Sequence, residues 1–183
     1  AKVMRPTDAT PFSSGPRTRV QPVLRLPITG FVLCMMGVPT VAVSEIVLVQ
    51  EGKPVSVIVT NGRPSETQTA AAAELQEHLR VMTTATIPIV KEDEFTPDAK
   101  TALILIGQSD LAKRHGVDTK GLDPETFIVK IQNNALILAG DDGGGGKNAR
   151  TGTLWAVYDF LQDQLGCRWL WPGDIGRVIP RRQ

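Results

Sequence analysis

Two cysteines, two histidines and one tyrosine in 183 residues leave little of the usual material for side-chain chemistry. Two cysteines cannot build the disulfide framework of a small exported domain, so stability has to come from a packed core. The histidines, His78 and His115, share no metal-ligand spacing and have no Cys pair beside them. No metal and no cofactor are therefore expected, and both imidazoles are expected at the surface. An excess of one charge is missing too: Lys+Arg number 20, Asp+Glu 19, and the formal net charge is +1. Phosphate binding needs a clustered basic face, so nucleic acid is not an expected partner. No period repeats along the chain, which excludes collagen and coiled coil, and 42% hydrophobic residues exclude disorder. A complete (β/α)₈ barrel needs about 250 residues and does not fit.

The near-neutral charge conceals an asymmetry. Residues 1–44 carry five basic residues (Lys2, Arg5, Arg17, Arg19, Arg25) and one acid, Asp8, leaving 15 basic and 18 acidic residues in 45–183. After the polar, basic stretch from Met4 to Arg25 the chain turns apolar and uncharged from Leu26 to Ser44. A basic stretch, an apolar stretch and small residues at Ala42 and Ser44 are the layout of a secretory signal, with cleavage expected between Ser44 and Glu45. Ala1-Lys2-Val3 ahead of Met4 read as leader residues. A retained membrane anchor and a buried core element are the rival readings. The run is barely as long as the 20 or so residues a span needs, and Pro27, Gly30, Gly37 and Pro39 interrupt it. Export to the periplasm or the outside is thus expected, without stable membrane insertion after cleavage. Cys34 would leave with the signal, and Cys167 would remain as a small buried hydrophobe.

Residues 45–183 alternate strands with two clear helices. Ile46–Val49 and Val55–Val59 flank Glu51-Gly52-Lys53-Pro54 and read as a hairpin. Ser65 with Gln68 forms a capping box ahead of an Ala-rich helix whose Ala72, Leu75, Leu79 and Met82 make one apolar stripe. Ile87–Val90 reads as an edge strand because of Pro88. The acidic loop from Lys91 to Lys100 reads as solvated. Ala102–Ile106 is apolar throughout and is expected in the sheet centre. A short helix from Ser109 to His115 follows. Thr126–Ile131 and Ala135–Ala139 flank Gln132-Asn133-Asn134 as a second hairpin. A glycine-rich loop, Asp141 to Arg150, leads into a helix over Thr151–Leu165, stopped by Gly166. Cys167–Trp171 reads as a strand, and Val178-Ile179-Pro180 is the last apolar stretch. The expected fold is α+β: a mixed sheet with both long helices packed on it, in one mixed α/β sandwich.

Three patterns invite a chemical reading. The glycine loop sits where phosphate loops occur, but a Walker match fails at Asp141 and Asn148. Gly144, Gly146 and Ala149 meet the looser dinucleotide pattern, yet Asp141-Asp142 would repel a pyrophosphate. A flexible crossover or a contact with a neighbouring domain is the other reading. Carboxylate clusters, Glu92-Asp93-Glu94 and Asp141-Asp142, could serve glycoside hydrolysis only if two acids stood about 5–10 Å apart across a sugar; adjacent loop acids read as solvated. Strand alternation puts Trp169 and Trp171 on one face and Arg168 and Leu170 on the other. The tryptophans could stack on a sugar or pack against a helix or domain. Arg168, Trp169, Trp171, Asp141 and Asp142 are therefore the candidate residues for interdomain or sugar contact, and no residue is assigned a catalytic role.

The order of these pieces carries a resemblance. Gly52-Lys53-Pro54, the helix with Ala72-Ala73-Glu74-Leu75-Gln76-Glu77-His78-Leu79, and the strand ending Leu105-Ile106-Gly107 come first. Gly140, Gly152–Leu161 and Leu165–Gly173 complete the set. In that order they resemble the non-catalytic N-terminal domain that precedes the catalytic barrel in family 20 β-hexosaminidases, family 67 α-glucuronidases and related bacterial hydrolases. The resemblance implies a mixed sheet with helices on one side. It also implies an accessory role beside a catalytic (β/α)₈ barrel in a longer parent chain, with the acid/base residues in that barrel. A stand-alone module that binds a carbohydrate or a protein partner is the alternative, with a glycan as its partner.

Overall fold

The computed structural model describes residues 45–98, 100–143 and 150–182. The export-signal expectation for residues 1–44 and the glycine pattern at 144–149 lie outside these described residues.

The chain opens on a small hairpin, β1 (Val49–Gln50) with β2 (Lys53–Pro54), turned at Glu51-Gly52 with φ 51° and 70°. Of the expected hairpin partner, Val55–Val59, only Val55 stays beside the opening strand, and the rest goes elsewhere. As β3 (Ser56–Thr60) it enters the main sheet, and all five of its residues are buried. The Val55 amide still donates to Leu48 O at 3.1 Å, and beyond it the run, apolar on both faces, gains most in a covered parallel sheet. Helix α1 (Glu66–Thr83) follows, closed at its start by the expected box. The Gln68 amide donates to Ser65 Oγ at 3.1 Å, and Gln68 Oε1 accepts from the Ser65 amide at 3.3 Å.

The chain then forms edge strand β4 (Ile89–Lys91) and central strand β5 (Ala102–Ile106). The short α2 (Asp110–Arg114) comes next, and then the hairpin β6 (Phe127–Gln132) with β7 (Ala135–Gly140). The β6–β7 turn is Asn133-Asn134 at φ 50° and 57°, the left-handed pair that a two-residue hairpin turn demands. The sheet order is β4-β3-β5-β7-β6, parallel from β4 to β7 with β6 antiparallel at the far edge. This is the mixed sheet expected from the sequence.

Period-two alternation divides the core between two faces. On one face Ile58, Ile104, Ile106, Leu136 and Leu138 meet the α1 stripe and Ala156, Val157, Phe160 and Leu161 of the last helix. On the other, Val57, Val59, Leu105 and Ile137 meet Leu111 and Ala112 of α2 and Val117. Both long helices thus share one side, and the short one covers the other. Leu75 is fully buried between helix and sheet, and its truncation to Ala would cost about 2–5 kcal/mol.

Helix α3 (Gly152–Asp159) widens into a π-type turn over Phe160–Gln164, where the Leu165 amide donates to Phe160 O at 3.2 Å. Gly166, at φ +79°, then lets the Cys167 amide reach back to Leu161 O at 2.9 Å, ending the helix. The strand expected over Cys167–Trp171 is shorter. Only β8 (Arg168–Trp169) pairs, with β9 (Arg177–Val178), and the segment between them turns tightly, with the Leu170 amide on Gly176 O. Pro172-Gly173 bends the chain before a longer ladder can form, so Trp169 and Trp171 do not share a strand face.

Two further expectations are corrected. His78 is 1% exposed, because α1 lies beneath α3 and β8 rather than facing solvent there. Glu92, in the loop read as solvated, has only 17% of its side chain exposed. Its carboxylate accepts from the amides of Asp110 and Leu111 at the start of α2, at 3.1 and 2.5 Å. Cys167 is fully buried, as expected, and burial pushes its thiol pKa up.

Candidate functional site

In sheets of this kind ligands sit beyond the carboxyl ends of the parallel strands, where the strand order reverses. Here that point lies between β3 and β5. The chain supplies Asn61 after β3, Gly107-Gln108 after β5 and Asp141-Asp142 after β7. Gly107 has φ +75°, and a Cβ there would lie 2.5 Å from the carboxamide nitrogen of Gln68. The crevice is thus filled by a side chain from the first turn of α1. Asn61 Nδ2 donates to Gln108 O at 3.1 Å, and Gln108 Oε1 accepts from the Thr119 amide at 2.7 Å.

The two candidate acids have structural partners at this edge. Asp141 is ion-paired with Arg150 and accepts from the Gly143 amide at 3.2 Å. The Arg150 guanidinium, and after it that amide, hold its carboxyl below the ordinary carboxylate value. Asp142 closes the start of α3. It accepts from the Thr153 amide at 2.8 Å and the Thr153 hydroxyl at 2.6 Å, with Gln68 Nε2 at 3.4 Å. These contacts cap one helix and bridge it to a second. Among the described residues no group of three or more His, Cys, Asp or Glu side chains stands ready for a metal ion.

The second candidate surface is the C-terminal hairpin. Trp169 of β8 packs edge-on against Tyr158 of α3, ring centroids 5.4 Å apart at 82°, and Tyr158 in turn meets Trp155 at 6.2 Å and 61°. On its other side Trp169 meets His78 of α1 at 5.5 Å. Burial, and then the neighbouring Glu74 carboxylate, push the Tyr158 pKa up. Arg168 points the other way and donates through Nη1 to the Cys167 carbonyl at 2.8 Å and the Gln162 carbonyl at 2.5 Å, closing the end of the α3 segment. Trp171 is 73% exposed. Of the candidate residues, the fold brings Asp141 and Asp142 together at one sheet edge and Arg168, Trp169 and Trp171 together on the hairpin.

Three participants were missed in the sequence: His78, Gln68 as a bridge to α3, and Glu92. The spacing of Ala71, Leu75, His78 and Met82 already put His78 on the buried side of α1, and that periodicity was the available signal. Gln68 and Glu92 act across long sequence separations, which no local pattern reports.

No family model matches this chain, and no curated protein does. Among solved structures it is similar to a family GH115 4-O-methyl-α-glucuronidase with specificity for decorated arabinogalactans. The TM-score is 0.50 and the identity 17%, over 73% of this chain. The chain spans 16% of that protein's length, and the likeness is therefore one of fold, between this domain and part of a much longer glycoside hydrolase.

Proposed function

We propose that residues 45–183 are a non-catalytic accessory domain of an exported glycoside hydrolase, of the kind that accompanies hexosaminidase and α-glucuronidase barrels. Its partner is then a catalytic (β/α)₈ barrel in a longer parent chain, and Arg168, Trp169 and Trp171 belong to the face that meets it. One observation carries the reading: the fold recurs, over 73% of this chain, as a 16% portion of a family GH115 enzyme. The engagement of Asp141 by Arg150 and of Asp142 by the start of α3 and Gln68 of α1 supports the non-catalytic part. The purified domain should turn over neither an aryl N-acetylglucosaminide nor an aryl glucuronide. Hydrolysis of either would overturn the reading. Reading the gene beyond codon 183 tests the partner: a barrel-coding frame is expected, and an immediate stop codon would remove the barrel in cis.

A second reading, a stand-alone module binding a carbohydrate or protein partner, draws on the exposure of Trp171. Saturable binding of a glycan by the isolated domain would favour it.

A further inference from the structure

The two edges of the main sheet are not alike. At one, β4 is three residues long and Pro88 precedes it, and short length and proline both protect an exposed strand from pairing. At the other, β6 runs over the six residues Phe127–Gln132 without proline, glycine or bulge, and every one of them is half-buried. The hydrogen bonds of β7 decide which groups of β6 face outward. Leu103 of β5 and Gly107 just after it donate to Asn134 O and Leu138 O at 3.0 and 2.8 Å, so the even positions of β7 turn to β5. Ala135, Ile137 and Ala139 then turn to β6, where their register partners are Gln132, Lys130 and Ile128. The N–H and C=O groups of Phe127, Val129 and Ile131 are left directed away from the sheet, and among the described residues no strand pairs with them. A lysine on an edge ordinarily discourages pairing, but the Nζ of Lys130, the one charge on β6, donates to His115 O at 3.0 Å.

We propose that β6 pairs antiparallel with β6 of a second copy of this chain, about a two-fold axis at Val129, so that two sheets become one. The register follows from the outward groups. With the axis at Val129, Phe127 meets Ile131 of the copy, Val129 meets its own counterpart and Ile131 meets Phe127. Every outward donor and acceptor then belongs to a hydrogen-bonded pair. An axis at Ile128 or Lys130 would leave one outward residue of each copy beyond the partner strand, and the latter would set lysine against lysine. At Val129, Lys130 faces Ile128 of the copy, and no like charges stand opposite each other. Aromatic and β-branched residues pair well across strands, and here Phe127 meets Ile131 and Val129 meets Val129. These three side chains lie on the side of the sheet that α1 and α3 cover, so the pairing extends that apolar layer from one copy to the next. This fit of β6 to itself, in hydrogen bonds and in charge, is what names a copy as the occupant. The inference is independent of the accessory reading, which concerns the C-terminal hairpin.

The test combines sedimentation velocity of the 183-residue chain, from about 1 to about 100 µM, with residue-resolved amide hydrogen exchange at both ends of that range. The expected result is a concentration-dependent shift to twice the monomer mass. Over the same range exchange at the Val129 and Ile131 amides should slow on the order of tenfold or more, while the amides of Ile128, Lys130 and Gln132, already bonded to β7, should change little. Ile128→Lys and Ile128→Glu remove the same apolar side chain but set opposite charges against Lys130 of the copy, at two places in each dimer. Ile128→Lys should pair on the order of tenfold or more weakly than Ile128→Glu, and high salt should narrow the difference. Thermal unfolding at the dilute end checks that both variants fold; if either does not, the exchange pattern decides alone. A monomer throughout the range overturns the proposal. So does a dimer in which Val129 and Ile131 gain no protection, since it pairs through another face, and so do two variants that pair equally. Outward amides already slow in a monomer would give the edge to another segment of the chain and overturn it as well. Glycoside turnover would sink the accessory reading and leave the pairing standing.

Discussion

The imidazole of His78 lies against the indole of Trp169, with ring centroids 5.5 Å apart and planes tilted by 53°. His78 Nδ1 is 2.8 Å from Glu74 O, and a carbonyl can only accept, so Nδ1 carries the proton. Nε2 is buried and has no hydrogen-bond partner among the described residues. A buried ring nitrogen without a partner is a cost to the folded state, and the packing around it has to make up the difference.

Trp169 supplies that packing through its contacts with α1 and α3. Trp169→Ala should lower stability by about 2–3 kcal/mol, less than a fully buried tryptophan because 39% of the residue is already in water. His78→Leu should cost under about 1 kcal/mol, since Glu74 O also takes the ordinary helix bond and nothing is lost at Nε2. Urea unfolding of both variants decides the point. A His78→Leu loss larger than that of Trp169→Ala would mean that the imidazole has a polar role these contacts do not provide.

Asp142 ties α3 to α1 by accepting from Thr153 and Gln68 together. Asp142→Ala removes the acceptor for the first-turn amide of α3 and should cost about 1–2 kcal/mol. Asp142→Asn keeps one oxygen for the Thr153 amide and should recover at least half of that loss. Equal midpoints for the parent and Asp142→Ala in denaturant titrations would refute the capping role.

Where sequence and structure agree, the determining interactions are local. The Ser65–Gln68 box, the Asn133-Asn134 turn and the all-apolar Ala102–Ile106 run are each decided within a few residues, and each falls where the pattern puts it. The sequence reading failed where long-range burial decides. Val55–Val59 reads as a hairpin strand from its β-branched run and the Gly-containing connection before it, but the sheet offers most of it two covered faces, and no window of neighbours contains that offer. The candidate residues behave in the same way. That Trp169 and Trp171 are prominent was plain from composition, whereas their separation onto a half-exposed ring contact with Tyr158 and His78 and an exposed tip depends on the turn at Pro172-Gly173.

Gly107 tests how tightly the strand-edge crevice is closed. Its φ of +75° strains any other residue, and a Cβ would collide with the Gln68 carboxamide. Gln68 cannot move aside freely, because its two ends hold Ser65 and Asp142. Gly107→Ala should therefore cost about 2 kcal/mol or more, above what strain at a free turn produces. Combining it with Gln68→Ala should return part of the loss, since the collision is then gone while the φ strain remains. Strict additivity of the two changes in unfolding free energy would show that the side chain never filled the crevice.

The ion pair of Asp141 with Arg150 gives the fold a dependence on pH with a determinate sign. The guanidinium, and after it the Gly143 amide, hold the Asp141 carboxyl below its ordinary value, so the folded state favours the charged form. That contribution is complete above the unfolded value of about 3.9 and is lost as pH falls through the lower folded value. Asp98 is lowered as well, first by the Thr101 amide and then by that of Lys100, but it is common to parent and variant and cancels in their difference. Asp141→Asn should thus be less stable than the parent by a constant amount between pH 5 and 8. The gap should narrow below about pH 4, where the parent carboxylate takes up its proton. Chemical denaturation of both proteins across that range measures it, and a gap that widens in acid would mean the carboxylate is not held by the arginine at all.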